Sequence, residues 1–172
     1  MAVFTQGGRT VLAQALLNMT LFLAVGEGDP EWDNQPLPTT PEEQATRDAA
    51  LSVLFDLVSK VGVTRTREKF FVKPDNAGTI LMSDGAAYSQ SETPTPYVFV
   101  RFQLDLPDAA NTTLRETGIF VGTQLQGTVP AGQQYIPADN VVNFGTMIEV
   151  DRFAPIVRDG SIGQTFSFIL TM

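Results

Sequence analysis

TTLRETGIFVG, residues 112–122, has the apolar content of a core strand, yet Arg115 and Glu116 stand side by side in it and Gly118 follows. In a strand, successive side chains point to opposite faces, so Arg115 and Glu116 reach different layers rather than each other. Charges at such a place are held by hydrogen bonds, often to the backbone of a neighbouring loop. Glu116 is therefore expected to tie down one loop and Arg115 to bridge another. Gly118 is expected to admit a close neighbour or to mark a bulge. A catalytic Glu116 would need an open approach and a second ionisable group converging on it. Its place between Leu114 and Gly118, on one face, suggests a carboxylate held by donors instead.

The flanking pattern is also that of a sheet. PYVFVRFQLDL (96–106) alternates over its whole length, and VTRTREKFFV (63–72) does so nearly as well. KPDNAG (73–78) is predicted to turn into a short return strand, TILM (79–82), with a loop over 83–96. After a Gly/Pro/Gln connection at 126–139, further strands are expected near 140–150 and 163–172.

Towards the N-terminus the period is helical. TVLAQALLN (10–18) reads as a short helix and TLFLAV (20–25) as a buried strand. EGDPEWDNQPLPTTP (27–41) reads as a surface loop. Thr40, Pro41 and Glu43 then spell a capping box with proline at the first helical position. The helix they start is expected to run to about Lys60, with Ala50, Leu51, Leu54, Leu57, Val58 and Val61 supplying the face that packs on the sheet and Gly62 as its cap. The fold class is thus α+β: a mainly antiparallel sheet or sandwich with one or two N-terminal helices packed on it. Residues 1–125 form the main body, and 126–172 are expected to complete the same domain.

Composition narrows the function. The 172 residues carry a net charge of −8 and a pI near 4.4, with only eleven Lys and Arg. Nucleic acid and anionic membrane surfaces are disfavoured as partners, since both need clustered cations. No cysteine or histidine is present, which excludes disulfides, Cys/His metal sites and Ser–His or Cys–His dyads. The run at 11–25 is too short and interrupted for a membrane span and lacks signal-peptide order. No pair of carboxylates has glycosidase spacing and no glycine cluster matches a phosphate loop, so no enzyme, cofactor or metal is predicted. Asp29, Glu31 and Asp33 start like a calcium loop, but Asn34 and Thr40 stand where glycine and glutamate belong. Trp32, the only tryptophan, reads either as an interface anchor or as packing over the next helix. Arg65, Arg67 and Lys69 read either as a docking stripe or as cations blunting an edge strand. The loops 27–40 and 126–139 are expected to be interaction surfaces.

The order of the pieces carries a resemblance. GRTVLAQAL, LFLAVGEG, a Pro/acid loop, a capped helix, REKFFVKPDNAGTI and LRETGIFVG follow one another over about residues 7–122. In that order they resemble the N-terminal domain of phage tail-collar and tail-fibre proteins, which seats a fibre in the baseplate. The resemblance implies a virion structural protein, made in the host cytoplasm and present in several copies. Its partners would be baseplate subunits and a tail-fibre protein. Members of that family continue into a shaft and tip, whereas about fifty residues follow here, which points to a stand-alone adaptor. The alternatives are another tail-completion or wedge protein and a carbohydrate-binding β module. A single Trp and three Tyr weigh against the module.

Overall fold

The computed structural model describes residues 1–172. In chain order it has α1 (Gln6–Asn18), β1 (Leu21–Gly26), a 3-10 turn (Pro30–Asn34), α2 (Pro41–Leu51), β2 (Lys60–Pro74), β3 (Ile80–Leu81), β4 (Ala87–Gln90) and β5 (Tyr97–Leu104). Then follow β6 (Thr112–Val121), β7 (Gln124–Leu125), β8 (Tyr135–Pro137), a 3-10 turn (Ala138–Asn140), β9 (Val141–Asn143), β10 (Thr146–Arg158) and β11 (Gln164–Thr171). The class is α+β, mostly antiparallel β, as the sequence patterns predict. Neither helix is long and apolar enough to cross a membrane.

Contacts group the chain into two compact units, neither continuous in sequence. The first is built from residues 1–20, 66–103 and 165–172. The C-terminal half of β2 pairs there with β5 (Phe70↔Phe99) and with β4 (Lys73↔Ser89), while β11 lies on β5. Helix α1 starts earlier than predicted because Thr5 caps it, its Oγ1 accepting from Gly8 N at 3.1 Å. The predicted 79–82 return strand is corrected: β3 pairs with β4, and β4 is the strand that lies on β2. Asp75 explains the change, since its carboxylate accepts from Ala77 N (3.0 Å) and from Ser89 Oγ (2.7 Å), tying the turn to β4.

The second unit comprises residues 21–65 and 104–164. Its sheet runs β10–β6–β1–β2, with β8 also on β2, and the register sets Gly26 opposite Glu116 and Ala24 opposite Gly118. All six residues of β1 are buried, the place of a central strand. One face packs Phe22, Ala24, Val63, Phe120 and Ile136 against Leu57, with Met147, Val150 and Phe144 closing the edge. The short pair β7–β9 stands beside this sheet.

Two expectations fail in this unit. The capping box forms, with Glu43 N donating to Thr40 Oγ1 and Thr40 N to Glu43 Oε2, each at 3.2 Å. Yet α2 ends at Leu51 instead of Lys60 and buries no residue. A longer helix would need the amides of Val58 and Ser59 for the carbonyls four residues back, and Glu116 takes both. Gly62, read as the helix cap, lies inside β2. Arg65 stands opposite Phe22 of β1 and donates its backbone N–H to Gln134 O on the other side, whereas Lys69 stands opposite Val100 of β5.

Candidate interaction site

In the second unit Arg115 and Glu116 serve different loops. Arg115 reaches Asp33 with two parallel hydrogen bonds, Nε to Oδ1 and Nη2 to Oδ2, both 2.8 Å. Its Nη1 adds a 3.1 Å bond to the carbonyl of Glu27. The planar fork matches a carboxylate and fixes both ends of the 27–33 segment on β6. The guanidinium holds Asp33 below the usual carboxylate range. Asp29 caps the 3-10 turn, accepting from Glu31 N at 2.9 Å. Two of the three residues of the calcium-like run are thus engaged in holding the loop.

Glu116 is fully buried. Its Oε1 accepts from Val58 N at 2.8 Å and Ser59 N at 3.0 Å, which pins the segment after α2. Gly26 makes room for it: a Cβ there would stand 2.7 Å from Glu116 Oε1 and 2.8 Å from Ser59 O. The other carboxylate oxygen, Oε2, is buried without a hydrogen-bond partner, and so is Nε of Arg152, which stands opposite Glu116 in the β6–β10 register. Gly118 serves close approach, because a Cβ would lie 3.0 Å from Met147 Sδ and 3.2 Å from a Leu57 methyl.

Arg152 also stacks on Trp32, 3.8 Å from its ring centroid, a cation–π contact. Burial lowers its pKa and the Glu116 charge opposes that shift. Arg47 of α2 donates to the Arg152 carbonyl. Trp32, Arg47 and Arg152 thereby join three elements around a groove of ≈ 880 Å³, lined by α2, the 35–39 loop and residues 152–155 of β10. Nearby on β10, burial raises Glu149 to about 7, with Asp151's charge adding to the shift.

Of the residues predicted from sequence, Trp32, Glu43, Arg115 and Glu116 either line the groove or hold its walls, and Thr40 caps the helix beside it. Arg65 belongs to the same unit but stacks on Phe22 (5.3 Å) and donates to Gln133 O at 2.8 Å. Arg67 and Lys69 lie in the first unit, where Lys69 donates to Met19 O. Sequence reasoning missed Arg47 and Arg152. It also missed Arg158, which is buried and bonds the carbonyls of Asp105 (2.7 Å) and Asp108 (3.2 Å). The available signal was each one's isolation as a lone cation in an acidic or apolar stretch.

A family model described as baseplate wedge 3 tail fiber network component matches residues 1–172. The chain belongs to that family and is a structural protein of the phage baseplate and tail-fibre region, with other tail subunits as its partners. No curated protein matches it.

Proposed function

We propose that the protein is a linker in the virion, joining the baseplate wedge to a tail fibre or to the wedge's neighbours, and that it works by binding rather than catalysis. The match to a baseplate wedge and tail-fibre network family over the whole chain carries this reading. The charged residues of β6 support it: each is spent on holding a loop, and neither is presented to a substrate. The same two ties fit the narrower resemblance to a tail-collar attachment domain, whose R-E-x-G segment would then be a scaffold for presented loops. On this reading the protein is made in the host cytoplasm and enters the particle in several copies. Cryo-electron microscopy of purified particles tests the placement. Density for the chain between wedge and fibre is expected. Particles that lack the polypeptide by mass spectrometry, yet keep their fibres, would overturn it.

A further inference from the structure

Helix α2 has no buried residue, although a helix in a compact unit ordinarily buries a stripe against its neighbours. The groove it overlooks is lined by Pro36, Leu37, Leu51, Leu54, Phe153 and Pro155 among others. Just beyond Leu51 and Leu54, the side chains of Val53 and Phe55 are 68% and 90% exposed, and Leu37 on the other wall is 56% exposed. Apolar groups gathered in this way mark an interaction surface.

The walls are already set. Arg115 fixes the Trp32 loop, the capping box fixes the start of α2, and Glu116 fixes the segment that carries Phe55. A partner therefore meets a preorganised site, with little ordering left to oppose binding. β10 is the last strand of its sheet, and its register on β6 shifts between Arg152 and Ile156. A sheet edge beside an apolar groove suits an extended segment, which can add main-chain bonds and insert alternate side chains.

Charge selects the partner. Of the nineteen acidic and eleven basic residues, fifteen and six lie in this unit, leaving four and five in the other. At the groove, Arg47 is bound to Arg152 O and Arg152 is stacked on Trp32, while Glu42 is exposed. A second copy docking through this same unit would bring the same negative surplus to the contact. We propose that the groove receives an extended segment of a different tail subunit, with aliphatic or proline side chains flanked by lysine or arginine. The inference rests on the linker reading and names the surface and chemistry of the link.

The test places a photo-crosslinking residue at Leu37, at Phe55 and, as a control in the first unit, at exposed Leu81, and irradiates assembled virions. Crosslinks from positions 37 and 55 are expected to map to one segment of another tail protein with basic residues beside its apolar ones. That segment, made as a peptide and added to the purified chain, should shift the emission of Trp32. Glu42→Lys should weaken its binding several-fold, and Leu37→Asp at least tenfold. Crosslinks from 37 and 55 to a second copy of this chain, or to nothing, would overturn the proposal. If position 81 then still crosslinks to other tail proteins, the linker reading stands and the groove assignment alone falls. Absence of the chain from virions removes both.

Discussion

Glu116 is a buried carboxylate with two amide donors, so its replacement should be felt in the stability of the second unit. Replacement by alanine leaves Val58 N and Ser59 N without their acceptor at a partly buried site, at about 1–3 kcal/mol. Glu116→Gln keeps one acceptor oxygen and is expected to lose less. Thermal unfolding of the three proteins side by side checks the order: parent highest, Gln next, Ala lowest by several degrees. Equal melting temperatures would mean that the two bonds hold nothing. Glu149 acts in the opposite sense. Its folded pKa is raised to about 7 from 4.5 by burial and then by Asp151. Its contribution to stability is therefore fully present below about pH 4.5 and is lost as pH rises through 7. Glu149→Gln should consequently stabilise the protein at pH 8 by roughly 1–3 kcal/mol and leave it nearly unchanged at pH 4. Melting curves at the two pH values give the comparison.

At the scale of elements, α2 is the piece whose start was legible and whose end was not. Thr40, Pro41 and Glu43 act through neighbours three residues apart, so local sequence suffices to find them. That the helix does not reach Lys60 involves Glu116, which takes the amides of Val58 and Ser59 from 58 and 57 positions further along, and no local pattern carries that information. The apolar spacing of Leu54, Leu57 and Val58 imitates a helical stripe, but only Leu57 is buried. The same division runs through the sheet. The alternating stretches that became β2, β5 and β6 were readable, whereas β4 was hidden in a polar loop and is held by a turn through Asp75. In the site, the conflict between charge and context at Arg115 and Glu116 was visible; their partners Asp33, Val58 and Ser59 were not. A helix without a buried face is a local unit of low stability. Thr40→Ala, costing on the order of 1 kcal/mol of helix stability, should accordingly speed amide exchange across residues 41–51. The global melting temperature should barely move. A large drop in it would show that α2 supports the unit it flanks.

At the scale of the whole molecule, both units are stitched from separated stretches of chain. The first needs residues 1–20 together with 165–172, and the second needs 21–65 together with 104–164. Pairings this distant in sequence close large loops before any contact repays the lost entropy, which slows folding. A consequence follows for biosynthesis. The opening helix and the buried strand β1 leave the ribosome long before β6, β10 and β11 exist to cover them. The apolar run LFLAV, residues 21–25, therefore waits uncovered while more than a hundred residues are still to be translated. Ribosome-bound chains stopped at residue 125 should be cut readily by protease near the N-terminus, and chains carrying all 172 residues with a linker behind them should resist. Equal resistance in both would show that an early fragment folds alone. Otherwise this subunit passes through an interval in which LFLAV is exposed and prone to aggregate, and that interval closes only once β6 is made to cover it.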